Sequence, residues 1–325
     1  MNRTKIEWAD YTWNPVTGCL RGCPYCYAKK QALRFASDVR MNLMDPRCIG
    51  DKNNMLFVLD APYTTKNNRC LSEPFGFYPT LHTYRLKKPG ELKTGEGIFV
   101  CSMADLFGDW VPEDWILRVF AACMTYPQHN YLFLTKYPQR YQELLNKGLL
   151  PSASNFWYGS TATCTTSDVF TSNKVNTFVS IEPILEPIAG TFSVNWVIIG
   201  AETGNRKGKV IPERSWIKNL VEAYHNASIP VFLKNSLSNI MQDDLIQERP
   251  SSLQLHPISE KLRAKLWDTC CVCKQEKPMK EMIALLYRER RGESAKKLGY
   301  ACPSCFNHLQ KHLQSDNPLS IAVTP

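Results

Sequence analysis

The stretch TGCLRGCPYCYAKK, residues 17–30, carries three cysteines, Cys19, Cys23 and Cys26, with three and then two residues between them. Three thiolates cannot close a structural zinc site, which is almost always four-coordinate. An iron–sulfur cube has four irons and usually four cysteines. A loop that supplies three leaves one iron open to another ligand. Two plainer readings stand beside this one. The loop could be a zinc knuckle completed by a remote Cys or His, or the thiols could be incidental.

Outward from this loop, short apolar runs alternate with amphipathic stretches. Strands are expected at Gly97–Cys101, Tyr131–Thr135, Phe156–Ser160, Thr177–Ile181, Asn195–Ile199 and Pro230–Leu233, with an earlier one near Lys5–Trp8. Helical patterns fall at Pro112–Met124, Gln139–Asn146 and Glu213–His225. Alternating strands and helices argue for βαβ units and a parallel sheet. Near-continuous apolar strands are expected when both faces are covered. The fold class is α/β, a partial or complete (β/α) barrel over residues 1–246. Residues 37–95 are turn-rich and read as an insertion that helps cover a substrate. QERPSSLQLHPISE, residues 247–260, reads as a linker to a small module at 261–325.

The net charge is +9 over 325 residues. Residues 261–325 hold twelve Lys/Arg against six Asp/Glu, two thirds of that excess. A basic module suggests a polyanionic partner, most simply DNA or RNA; a solvated surface is the plain alternative. No apolar run approaches the ~20 residues of a membrane span, and no signal-peptide core stands at the N-terminus. The expected location is cytoplasmic, where thiols stay reduced. Cys48, Cys70, Cys101, Cys123 and Cys164 are scattered and read as ordinary thiols.

The pattern C-x3-C-x-aromatic-C resembles the signature of the radical S-adenosylmethionine superfamily. That resemblance implies a 4Fe–4S cluster on Cys19, Cys23 and Cys26, with Tyr25 near the adenine. It also implies S-adenosylmethionine on the open iron, reductive cleavage to a 5′-deoxyadenosyl radical, and an electron donor such as a flavodoxin or ferredoxin. More narrowly, TKIEWADYTWNPVTGC, SMADLFGDWVP, LTKYPQRY, SIEPILEPI and NWVIIGAETG look like the phage Gp37/Gp68 family.

Polar residues just after the strand runs are candidates for the site, because barrel active sites lie at strand ends. Asp105 stands where the superfamily commonly has Gly-Gly-Glu, and could hold the cofactor's amino group; a helix-start role is the alternative. Lys136 could pair with the cofactor carboxylate or a substrate phosphate. Ser160 could reach ribose or that carboxylate, or simply form a turn. Glu182 and Glu202 are carboxylates after late strands, expensive to bury unless they bind something. Gly200 and Gly204 could let backbone approach adenine, or only make a turn. Lys234 and Asn235 are further pocket candidates.

Cys270-x2-Cys273 and Cys302-x2-Cys305 supply four thiolates in two knuckles, which suits tetrahedral zinc. The segment resembles a treble-clef or zinc-ribbon module. A second iron–sulfur cluster is an alternative, as is a poor HNH-like pattern using His308 or His312. The leading expectation is radical modification or repair of a nucleic-acid base. Radical chemistry on a peptide or small metabolite, and a non-catalytic zinc-stabilised nucleic-acid adaptor, stay open.

Overall fold

The computed structural model describes residues 1–45, 49–51, 53, 55–65, 67–93, 95–253, 267–269, 276–278, 283–287 and 296–301. Apolar runs give seven strands: β1 (Tyr11–Trp13), β2 (Gly97–Val100), β3 (Asn130–Thr135), β4 (Phe156–Ala162), β5 (Asn176–Ile181), β6 (Trp196–Ile199) and β7 (Val231–Leu233). They pair in chain order and every pairing is parallel. Asn2–Arg3 adds a short antiparallel edge to β1. The fold is thus mixed α/β around a large parallel sheet. The longer helices are α1 (Tyr27–Phe35), α2 (Glu113–Thr125), α3 (Gln139–Asn146) and α4 (Arg214–Asn226).

Alternation along each strand sorts the side chains onto two faces. On the outer face, Ile98, Tyr131, Phe133, Phe156 and Tyr158 pack with Ile116, Val119 and Phe120 of α2. Those α2 positions share one helical stripe. Phe120 meets Phe133 edge-on at 5.4 Å between ring centres. Val179, Ile181, Val197, Ile199, Val231 and Leu233 pack in the same way with Ile217, Leu220 and Tyr224 of α4.

On the other face, Phe99, Leu132, Trp157, Phe178, Trp196 and Phe232, one from each of β2 to β7, form a single cluster with Trp8 and Leu253. Trp8 touches Phe99 at 4.6 Å and Phe178 at 6.0 Å, although three inter-strand spacings separate β2 from β5. The sheet is therefore curved round this cluster. Glu7 bridges its two ends. Its carboxylate accepts from Asn235 N at 2.9 Å, and its carbonyl accepts from Arg249 Nη2 at 2.6 Å.

Two expectations change here. The first parallel strand is Tyr11–Trp13, not Lys5–Trp8; Glu7 and Trp8 form a turn, and Trp8 is buried in the interior. Residues 247–253, read as linker, pack on the sheet. Glu248 O accepts from Trp196 Nε1 at 3.0 Å, and Leu253 is fully buried. The sequence QERPSSL is polar, so its role as an edge cover is invisible to composition.

Within 37–95, Leu56–Leu59 lies between Thr80–His82 and Ile49–Asp51 in a second sheet whose other edge is Val16–Thr17. It carries its own small core of Phe57, Leu59, Tyr63, Leu71 and Phe75. Trp13 Nε1 donates to Arg85 O at 2.9 Å and ties this region to β1.

The chain divides into two compact units, Met1–Leu255 and His256–Pro325. In the second, Trp267–Thr269 pairs antiparallel with Glu276–Pro278, and Ile283–Tyr287 with Lys296–Ala301. Cys270, Cys271, Cys273, Cys302, Cys305, His308 and His312 lie outside the described residues, as does Cys48.

Candidate active site

The cysteine loop is threaded between two neighbours. Gly18 N donates to Met103 O at 2.9 Å and Cys19 N to Phe77 O at 3.0 Å. Gly18 has φ +86°, and a Cβ there would stand 2.2 Å from Tyr78 O. Only glycine fits. Cys26 then caps α1, its sulfur accepting from Lys29 N at 3.3 Å.

All three cysteines are free and half-buried. Cys19 and Cys26 pack beside Ala28, Ala32, Phe77 and Met103. Burial pushes the Cys19 thiol up to about 12; a bound cation would reverse that.

The three thiols line a cavity of about 310 Å³ at the C-terminal ends of the strands. Trp8, Phe99 and Leu134 give it apolar walls; Tyr25, Asp105, Lys136, Thr161, Ser180, Glu182, Glu202 and Lys234 also line it. Most of these polar residues follow from strand parity. Lys136 is four residues beyond Leu132, Thr161 four beyond Trp157, Glu182 four beyond Phe178, and Lys234 two beyond Phe232. Each inward side chain at the strand end continues the face of the buried cluster.

Parity also removes one candidate. Ser160 is on the outer face, fully buried, and its hydroxyl accepts from Phe170 N at 3.0 Å. Thr161 reaches the cavity instead. Asp105 is no helix start, since α2 begins at Glu113. Its carboxylate accepts from Thr135 Oγ1 at 2.6 Å, Lys136 N at 2.9 Å and Phe107 N at 3.2 Å. Burial raises its pKa against these three donors. It ties the loop after β2 to the end of β3.

The two glutamates are paired. Glu182 Oε1 stands 2.5 Å from Lys234 Nζ. Glu202 is 5% exposed and meets Arg206 as a fork, Nε to Oε1 at 2.6 Å and Nη2 to Oε2 at 2.8 Å. That fork holds its pKa below the usual carboxylate range. At Gly200 an added Cβ would meet Lys234 Cδ at 3.0 Å and Glu182 at 3.3 Å, so this glycine makes room for the ion pair. Gly204 sits in an exposed turn at φ +85°, and Asn235 is exposed beside Glu7.

Trp8, Arg21, Thr161, Ser180 and Arg206 complete the surroundings without having stood out in the sequence. Among the described residues Trp8 Nε1 and Ser180 Oγ are buried polar atoms with no hydrogen-bond partner, and both residues line the cavity. Orphaned polar atoms at a cavity wall fit a polar ligand. Among the described residues no three Cys, His, Asp or Glu side chains stand close enough to hold one ion. A cube does not require that, because each thiolate binds a different iron.

A larger cleft of about 820 Å³ adjoins the cavity and shares Tyr27, Ser102, Thr203 and Lys234 with it. Pro62, Cys70 and Leu71 of the 37–95 region form one side.

A family model described as "Protein of unknown function (DUF5131)" matches residues 3–271. The chain belongs to the DUF5131 family. The Gp37/Gp68 resemblance of the motifs has no counterpart among the comparisons. Comparison of this DUF5131 member with curated proteins gives no match. Among solved structures, it overlaps loosely with spore photoproduct lyase complexed with dinucleoside spore photoproduct. There the identity is 10%, the TM-score 0.36, and the overlap covers 96% of this chain and 74% of that one. A double mutant of the same lyase with bound AdoMet and dinucleoside spore photoproduct gives 11% identity, a TM-score of 0.36 and the same coverage.

Proposed function

We propose that this chain is a radical S-adenosylmethionine enzyme built on a partial (β/α) barrel, and that it modifies or repairs a nucleic-acid base. One observation carries the reading. Three free thiols share the rim of a strand-end cavity with charges of both signs and two orphaned polar atoms. Cys19, Cys23 and Cys26 would hold a 4Fe–4S cluster. Bound together, cluster and cofactor supply reductive sulfonium cleavage and hydrogen abstraction from the substrate.

The chain's own residues bind, orient and exclude water. Glu182 and Lys234, opposite charges side by side, match the ammonium and carboxylate of an amino-acid group. Tyr25 and the apolar walls offer surface to a flat ring. Glu202, neutralised by Arg206, can accept from hydroxyls without carrying net charge into the cavity. The adjoining cleft of about 820 Å³ would receive the substrate. A base would reach it unpaired or flipped.

The C-terminal module fits the same reading. Cys270, Cys273, Cys302 and Cys305 would bind zinc, and the basic residues around them would hold DNA or RNA phosphates. No helix among the described residues is long and apolar enough to cross a membrane. We place the enzyme in the cytoplasm, with a flavodoxin or ferredoxin as electron donor.

The test is anaerobic. The protein is reconstituted with iron and sulfide, then given S-adenosylmethionine and dithionite, and 5′-deoxyadenosine is quantified by mass spectrometry. Cys23→Ala is the control. Product that depends on Cys23 is expected. Zinc bound at the first three cysteines, with no cluster formed, would overturn the reading.

A further inference from the structure

We propose that a further cavity, also of about 310 Å³, between the cysteine loop and the start of α3, binds a phosphate group that belongs to the substrate. The phosphate site stands on its own geometry. Only its assignment to the substrate rests on the function proposed above.

Two cations face this cavity. The Arg21 guanidinium lies 4.7 Å from the Tyr137 ring centre, and Nη1 donates to Lys136 O at 3.0 Å. That bond uses one of its five N–H donors, and Arg21 also hydrogen-bonds the Tyr137 side chain. Lys136 Nζ lies 5.7 Å from the Tyr25 ring centre and forms no salt bridge among the described residues. Burial lowers the Lys136 pKa, and the Arg21 charge lowers it further.

Two of the nearby acids already have partners. Glu182 is committed to Lys234. Asp105 is committed to Thr135 and two backbone amides. Two cations held together by ring and backbone contacts, with Glu182 paired to Lys234 and Asp105 hydrogen-bonded to Thr135 and two backbone amides, form a site for an anion.

The opposite wall is suited to oxygen. Thr161 and Thr163 line the cavity, and neither hydroxyl makes a hydrogen bond among the described residues. Gln139, the first residue of α3, lines it too, so the helix's positive end faces the same space. A planar guanidinium, an ammonium and two hydroxyls make a donor set for a tetrahedral phosphate. The exposed Asp168 carboxylate, with no ion pair among the described residues, also lines the cavity and opposes an anion there.

Position gives the site its meaning. Tyr25, Lys136 and Thr161 line both this cavity and the cysteine-lined one. A phosphate held here leaves the attached group next to the three thiols. A nucleotide has that layout, with a charged phosphate at one end and a flat base at the other.

The experiment titrates the full-length chain, without added iron, with inorganic phosphate, a nucleoside 5′-monophosphate and the matching nucleoside, read by calorimetry. Saturable phosphate binding is expected, with the monophosphate tighter than either phosphate or nucleoside alone. Arg21→Gln and Lys136→Gln should each weaken phosphate by about tenfold, the worth of one charge-assisted hydrogen bond. Asp168→Asn should strengthen it. Arg21 and Asp168 are exposed, so these two variants keep the test valid if Lys136→Gln does not fold. No saturable phosphate binding, or binding that Arg21→Gln leaves intact, overturns the site. A monophosphate no tighter than phosphate overturns its assignment to the substrate. The titration uses no iron, sulfide or S-adenosylmethionine, so failure of the radical chemistry and failure of this site are read separately.

Discussion

Lys234 Nζ and Glu182 Oε1, fifty-two residues apart in the chain, meet at 2.5 Å on the wall of the cysteine-lined cavity. They come from neighbouring ends of the curved sheet, β7 and β5, with Gly200 of the intervening β6 end between them. A side chain at 200 would occupy the space of the pair. Their side chains are only 14% and 25% exposed. Losing one partner therefore strands a charge in poor solvent.

Lys234→Ala is expected to destabilise the protein by about 1–3 kcal/mol, less than for a fully buried pair because both groups keep some water. Gly200→Ala should cost about 1–3 kcal/mol by overpacking. The two costs should not add, since removing Lys234 removes the nearest obstacle to the new Cβ. Urea unfolding of the two single variants and the double variant measures the coupling. Additive costs would show that Gly200 serves something other than the pair.

Adjacent hydroxyls should behave differently. Ser160→Ala leaves the Phe170 N–H buried without an acceptor and should cost about 1–3 kcal/mol of stability. Thr161→Val should leave stability nearly unchanged and weaken ligand binding at the cavity. A paired urea and ligand titration on both variants checks this. The opposite assignment of effects would mean that β4 faces the other way.

That contrast marks how far the sequence could be read. The strand runs from 97 onward and the helices after β2, β3 and β6 were legible because both their length and their apolar period are strong signals. The cysteine loop was legible from spacing alone. Ser160 was misplaced because its strand was ended two residues early; counting in twos from Trp157 selects Thr161. β1 was misplaced because KIEW looks more apolar than YTW, while Trp8 belongs to the interior as a plug. The partners of Glu202 and Asp105 were not legible. Arg206 lies in an exposed polar loop, and the donors to Asp105 come from thirty residues away or from backbone.

Acid should weaken this fold through a histidine far from the cysteines. His129 is fully buried; its Nδ1 accepts from Glu96 N at 3.2 Å, so Nε2 carries the proton and donates to Pro89 O at 3.0 Å. Burial lowers its pKa from 6.5 to about 4. The unfolded chain takes up a proton below pH 6.5 and the folded chain does not until about 4. Stability from this group is thus full above 6.5, falls across that window by up to about 3 kcal/mol, and stays flat below it. His82, also buried, has a lowered pKa and acts in the same direction. His129→Gln keeps one donor and one acceptor without a titrating ring. Its urea midpoint should fall less than the wild type's between pH 7 and 4; equal slopes would assign the acid sensitivity elsewhere.

Gly18 offers the sharpest separation of loop geometry from thiol chemistry. Gly18→Ala leaves all three cysteines in place but puts a Cβ 2.2 Å from Tyr78 O, in a backbone conformation that L-residues avoid. The backbone is fixed on both sides, by Met103 O and Phe77 O, so it cannot move aside without breaking one of those hydrogen bonds. Destabilisation of about 1–3 kcal/mol is expected, with iron and sulfide per reconstituted chain falling well below wild type. Counting iron and sulfide beside a urea unfolding curve distinguishes the outcomes. Full metal content with unchanged stability would mean that the loop is not held by the Tyr78 and Met103 segments. Lost metal with wild-type stability would mean that the glycine acts on the cluster site alone.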